Sequence, residues 1–237
     1  MKKTIIRFSA TVMVASVLFA CQKDMSNKAK TDLTSSQTST SSSGTVTPSC
    51  GQLRTQTQGG WGASPAGNNP GTYLHANFEA AFGESLTVGC YPNNYYVQLT
   101  SAQAVTDLLP AGGKGAPLTA SYTNPASLKN VLVGQLVALK LSVGFDYADD
   151  NFGQSAVPLG NMIIANGTFK GNTVADFLKI GEEVLGGCNT DFSAQQIVET
   201  ATSINENFDD GTINKGFLVC PGDNPPNDPP SDPQLSL

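Results

Sequence analysis

Side chains able to do acid–base or nucleophilic chemistry are few in this chain and far apart. His75, in "TYLHANF", is the only histidine, so a Ser-His-Asp or Cys-His arrangement would need it as base. No Gly-x-Ser-x-Gly nucleophile elbow occurs, and His75 is expected to be a structural or surface residue. Neither a GxGxxG turn nor a Gly-Lys-Ser/Thr phosphate loop is present. Glu182 and Glu183 would point about 100° apart on a helix, which reads as a solvated face. Glycoside hydrolysis needs two carboxylates at a set separation across a cleft, and no two residues identify themselves as such a pair. The expectation is therefore a protein that is not an enzyme and carries no cofactor, with an adhesion or scaffolding role at the cell envelope; an envelope hydrolase is the weakest alternative.

Metal ligands fare little better. Zinc would need paired cysteines or further histidines, and no CxxC is present. The stretch "NENFDDGTIN" sets Asn205, Asn207 and Asp209 at alternate positions, as a calcium loop does. Its turn glycine falls one place late, at Gly211, and Gly216 stands where the bidentate glutamate belongs. A helix end entering a turn is the plainer reading, so no metal is expected. "FDYADDNFG" gathers Asp146, Asp149 and Asp150 and is read as a solvated loop.

The single tryptophan offers a different chemistry. Trp61 lies in "RTQTQGGWG", where an exposed ring could stack a sugar, with Tyr73, Tyr91, Tyr95 and Tyr96 extending the surface. A buried ring would instead contribute a large apolar area and need one partner for its N–H. The flanking glycines let backbone pass close to a bulky side chain. Burial is the expected outcome, with a carbohydrate platform of Trp61, Tyr73, Tyr95 and Tyr96 as the rival.

The address is written at the start. Lys2, Lys3 and Arg7 precede the apolar run "FSATVMVASVLFA", then Cys21. This is the form of an export signal too short to span a bilayer comfortably. "LFAC" resembles the bacterial lipobox, in which a small residue precedes a cysteine that is acylated, palmitate being one such chain, and becomes the new N-terminus. The resemblance implies cleavage after residue 20 and a membrane anchor at Cys21. One acyl chain holds only marginally, at about 0.8 kcal/mol per buried methylene, so the class carries more than one. Gln22 rather than Asp follows the cysteine, which favours the outer membrane or cell surface. "CQKD" resembles a surface-export signal of Bacteroidota.

Residues 21–49 form a Ser/Thr-rich linker, unable to bury enough surface to order itself. The flexible-coil rule gives it a reach of roughly 30 Å. Residues 221–237, with "PPNDPPSDP", read as an extended tail. Between them, 50–220 is the length of a single domain that buries roughly 70% of its unfolded surface. Without the leader the chain has 10 basic and 19 acidic residues, a formal charge of −9. That balance argues against nucleic acid as a partner and against anionic lipid binding by the domain itself. The partners expected are the membrane, through the lipid, and a glycan or an envelope protein.

Four further cysteines, Cys50, Cys90, Cys188 and Cys220, suggest two disulfides in an exported domain. Three connectivities are open. The one expected joins Cys50 to Cys220 and Cys90 to Cys188, fastening both ends, because the first and last cysteines coincide with the composition boundaries.

Patterning supplies the elements. Helices are expected over "TSAQAVTDLLP", "PASLKNVLVGQLVALKLSVGF", "TVADFLKIGEEVLGG" and "SAQQIVETATSINENF", with Thr100 or Ser101, Thr173 and Ser193 in capping positions and Thr100 and Gln103 at capping-box spacing. The second is apolar on nearly every face, yet too short and too polar to span lipid, so it belongs at the centre of a bundle. "SLTVGC" and "YYVQLT", split by "YPNN", predict a hairpin, and "NGTF" with "NKGFLV" a second short strand pair. Residues 59–72 are expected to be ordered loop. The fold class is mainly α, bundle-like, with a small β-hairpin element; α+β is the alternative.

"CGQLRTQTQGGWG", "NNPGTYLHANF", "LTVGC", "LTSAQAV", "GQLVALKLSVGF" and "INENFDDG" follow one another in an order that resembles an uncharacterised extracellular domain of secreted and surface proteins, frequent in Bacteroidota. More distantly the chain is similar to the bacterial domain that opens with cysteine and a Thr-Gln-Gly-Tyr-Trp motif. Here that motif is Thr57-Gln58-Gly59-Gly60-Trp61, with Gly60 for the tyrosine, and "GASP" stands where Lys-Asn-His is expected. The resemblance covers most of 50–220 and implies a surface-associated module without established chemistry.

Overall fold

The apolar run after Asn130 becomes the axis of the molecule. The computed structural model describes residues 50–209, 211 and 213–223. Cys21, the leader, the 21–49 linker and the tail from 224 onward lie outside the described residues. Helices dominate the fold, with two small sheets beside them.

Helices α1 (Gln58–Trp61) and α2 (Pro70–Phe82) come first, followed by strands β1 (Leu86–Gly89) and β2 (Tyr96–Leu99). Then come α3 (Ala102–Leu108), β3 (Tyr122–Thr123), α4 (Val131–Ala148), α5 (Asp150–Gly153), β4 (Ile163–Ile164), α6 (Val174–Gly186), α7 (Ala194–Asn207) and β5 (Leu218–Val219). Helix α4 begins where the Asn130 side chain accepts from Leu132 N–H, and it packs against α1, α2, α5, α6 and α7. By length and composition α4 could cross a bilayer, contrary to the expectation that it was too short and too polar. Its burial by those neighbours makes it the core helix of the domain.

Local signals set the other helices. Thr173 caps α6 by accepting from Asp176 N–H, and Gly187, left-handed at φ 75°, ends it. Ser193 and Gln196 form a reciprocal capping box on α7. Helix α2 lies largely beyond the stretch expected to be loop. Asn69 accepts from Thr72 N–H, Pro70 takes the first turn, and Leu74 and Phe78 face the core.

In the hairpin, Leu86 pairs with Leu99 and Val88 with Val97, and all four are buried. Strand β3 adds in parallel to β2. The second strand pair is displaced from its expected place: Ile163–Ile164 pairs with Leu218–Val219, while 166–169 is a turn that buries Phe169 against Phe177. Two apolar residues are too short a run to announce a strand.

Disulfides join Cys50 to Cys220 and Cys90 to Cys188. The first brings the two ends of the domain to a Cα separation of 5.8 Å. The second fastens the hairpin loop to the end of α6. Bonds of this kind belong to an oxidising compartment.

Trp61 is 0% exposed. Its ring packs 5.2 Å from Phe145 and 6.0 Å from Phe152, centroid to centroid. Its Nε1–H donates to Ser142 Oγ at 3.3 Å. The same hydroxyl donates to Ala138 O and accepts from Gln56 N–H, so one core serine ties the entering segment to α4. Gly134 makes a comparable allowance: a Cβ there would collide with the Gln58 amide, whose Oε1 accepts from Ala111 N–H.

Ser142→Ala should therefore destabilise the domain by about 1–3 kcal/mol, since it leaves the Trp61 and Gln56 N–H groups buried without an acceptor. Urea unfolding followed by Trp61 emission measures this. Removing both members of either disulfide by Cys→Ala should cost about 2–5 kcal/mol in the same assay.

Candidate functional site

Each sequence-singled residue has a definite place. Trp61 is withdrawn from any platform, because its ring is wholly enclosed. Tyr73 is half-buried on α2 and its hydroxyl donates to Asp149 Oδ2 at 2.6 Å, so it too belongs to the packing. Burial and the Asp149 carboxylate push the Tyr73 hydroxyl above its usual range. Trp61 is buried, as expected, and the rival sugar surface of Trp61, Tyr73, Tyr95 and Tyr96 is not assembled. Half of it went to the core because the apolar faces of α2, α4 and α5 needed those rings.

What remains outside is a smaller cluster on the hairpin. Tyr91 is 59% exposed and Tyr95 39%, while Tyr96 is half-buried. The Tyr91 and Tyr96 rings meet edge to face, 4.9 Å between centroids at 88°. Cys90 N–H donates to Tyr95 O and Asn94 N–H to Cys90 O, closing the loop on itself. The Cys90–Cys188 bond then fixes that loop to the body. Two amides, Asn93 and Asn94, stand between the tyrosines. Rings with two rotatable angles on a braced loop offer contact area at low entropic cost.

His75 borders a cleft of about 580 Å³ that Glu79, Glu84, Thr100 and Ser101 also line. Its Nε2 lies 3.0 Å from Thr106 Oγ1, whose own proton goes to Ala102 O. The network therefore makes Nε2 a donor. Ser101 Oγ caps α3 by accepting from Ala104 N–H. His75 faces no nucleophile poised for deprotonation.

Two of the three calcium candidates, Asn205 and Asn207, are buried, and Asn205 Oδ1 has no hydrogen-bond partner among the described residues. Asn207 Oδ1 accepts from Phe217 N–H and its Nδ2 donates to Asn214 Oδ1. Asn205 Nδ2 donates to Gln135 O and Oε1. Asp209 pairs with Thr55 through a parallel backbone bridge. These groups lash the segment after α7 to the core. Among the described residues no three or more His, Cys, Asp or Glu side chains gather as metal ligands.

Two sets of carboxylates expected at the solvent are partly structural. Glu182 pairs with Lys140 at 2.5 Å across α6 and α4, and burial raises its pKa while Lys140 opposes the rise. Asp146 lies in the last turn of α4, where Oδ2 accepts from Leu159 N–H at 2.6 Å. Burial raises its pKa above the ordinary 3.8, against the lowering effect of that N–H. Asp149 shifts the other way, lowered by the Tyr73 hydroxyl first and by Asn151 N–H next.

The signs follow from proton linkage. A raised folded pKa means the folded state holds its proton more tightly than the unfolded chain. Asp146 thus loses stability as pH rises from the ordinary Asp value through its raised one, whereas the Asp149 contribution grows with pH below the ordinary value. Asp146→Asn keeps an acceptor for Leu159 and removes the charge. Its urea midpoint should fall less than that of the wild type over the window just above pH 3.8. Parallel pH profiles would show that Asp146 is not the group responsible.

No family model matches the chain, and neither a curated protein nor a solved structure matches it.

Proposed function

We propose that the chain is a lipid-anchored module of the cell envelope with an adhesion or scaffolding role and no catalysis of its own. Acylated Cys21 is the anchor, residues 22–49 are the spacer, and the disulfide-closed domain is displayed at the outer membrane or cell surface. The observation that carries this reading is the Cys50–Cys220 bond. It ties the residue where the linker arrives to the residue where the tail departs, so the domain's two ends are closed on each other. Chemistry-bearing side chains support the same reading, since His75, Asp146 and Asp149 are engaged in caps and cross-links.

A second reading, carbohydrate binding, draws on the exposure of Tyr91 and Tyr95 beside Asn93 and Asn94. Aromatic faces stack on sugar C–H groups while amides reach hydroxyls. In this form the site is the hairpin, without Trp61 or Tyr73.

Cys21→Ala should move the protein from the membrane fraction to the soluble fraction, and mass spectrometry of the wild type should find acyl chains on Cys21. An unmodified thiol there, or Met1 still attached, contradicts the anchor. On a glycan array, a Tyr91→Ala, Tyr95→Ala variant should lose on the order of tenfold or more in affinity for any glycan the wild type retains. Unchanged binding by that variant removes the hairpin from the carbohydrate reading.

A further inference from the structure

Arg54 is the one arginine beyond residue 7. Its guanidinium carbon stands 5.6 Å from the Tyr73 ring centroid and 5.1 Å from that of Phe152. Both rings are themselves held, Tyr73 by its bond to Asp149 and Phe152 by burial. Among the described residues no carboxylate lies within ion-pair distance of Arg54, whereas Lys140 is matched by Glu182. The arginine is half-buried at the junction of two clefts. One, of about 220 Å³, is rimmed by Asn68, Asn69, Thr72 and Asn77. The other, of about 180 Å³, is rimmed by Gln52, Asn151 and Gln154. No carboxylate among the described residues lines either one.

A guanidinium whose carbon lies 5.6 and 5.1 Å from two ring centroids still has N–H donors to offer, and the partner that matches two parallel N–H donors is a carboxylate. Ring contacts also hold the plane in place before binding, which lowers the ordering cost. Asn69 and the Thr72 hydroxyl are spent on the cap of α2 and Asn77 Nδ2 on Tyr73 O, which leaves the Asn68 amide and Asn77 Oδ1 to meet hydroxyl groups next to that carboxylate. Each cleft is smaller than the roughly 300–1,000 Å³ of drug-sized ligand sites, which restricts the occupant to one small molecule or one terminal unit.

We propose that Arg54 anchors a binding site for the carboxylate of a small hydroxylated acid, seated in the cleft beside Asn68 and Asn77. Such a group comes from an acidic sugar or from a free hydroxy acid. The site is separate from the tyrosine hairpin and owes nothing to the lipid anchor, so either reading can fail without the other.

Calorimetric titration of the full chain with sodium glucuronate, glucose and sodium lactate tests it, at low and high salt. Glucuronate should bind, glucose should not, and the affinity should fall with salt as the ion pair is screened. Lactate as tight as glucuronate identifies a free acid as the source; a marked preference for glucuronate identifies the sugar. Arg54→Gln should weaken binding on the order of tenfold or more, and Arg54→Lys should recover only part of it. The indole N–H resonance of Trp61 reports whether each variant is folded. If Arg54→Gln does not fold, shifts in the wild-type amide spectrum decide, and they must centre on Arg54, Asn68 and Asn77. Equal affinity for glucose and glucuronate, no glucuronate binding, retention by folded Arg54→Gln, or shifts centred elsewhere would overturn the proposal.

Discussion

The Ser142 hydroxyl is the contact on which the rest of this structure depends. A helix as apolar as α4 can be packed in many ways, and α1, α2, α5, α6 and α7 bury most of it. Hydrophobic burial alone has no direction, so many arrangements of those neighbours would hide similar areas. One polar group in the middle of the helix breaks that degeneracy. Ser142 accepts from the indole of Trp61 and from the Gln56 backbone, and it returns its proton to Ala138 O. A shift of register on either side would leave buried N–H groups without acceptors, a penalty larger than the net gain of an ordinary hydrogen bond.

The same logic runs outward from that point. Gln56 and Gln58 lie on either side of the Thr57 cap of α1, and Gln58 reaches Ala111 across a glycine of α4. Thr55 exchanges hydrogen bonds with Phe208, which brings the segment after α7 back to the start of the domain. The Cys50–Cys220 bond lies just beyond, so polar cross-links and a covalent one close the perimeter together. A domain built this way holds side chains exposed on loops braced by the core, and the two proposed sites, the tyrosine hairpin and the surroundings of Arg54, are of that kind. Loops on a rigid scaffold are where binding residues concentrate.

How far the sequence announces this depends on the kind of signal. Helices α3, α6 and α7 were legible because caps and apolar periodicity agree over seven residues or more, and α4 because it is apolar on nearly every face, although its start at Asn130 was not legible. The hairpin was legible because β-branched alternation brackets a turn. Helix α2 was obscured by the glycine- and asparagine-rich chain before it, although Asn69-Pro70 with Leu74 and Phe78 at helical spacing is an N-terminal signature in hindsight. Strands β3 to β5 are two residues each, and pairing partners distant in sequence decide them. Among the aromatic residues the burial of Trp61 was legible, and the division of the tyrosines was not. Composition cannot say whether a ring is claimed by the core or left at the surface, and the core took Trp61 while the hairpin kept Tyr91 and Tyr95. Arg54 carried one signal, its solitude, and its stacking on Tyr73 and Phe152 needed the fold.

The claim that Trp61 completes the core, leaving recognition to other residues, has a direct test because the chain has no second tryptophan. Acrylamide quenching of the folded protein should find a blue-shifted emission that the quencher barely reaches. Emission and quenching like those of free indole would contradict it.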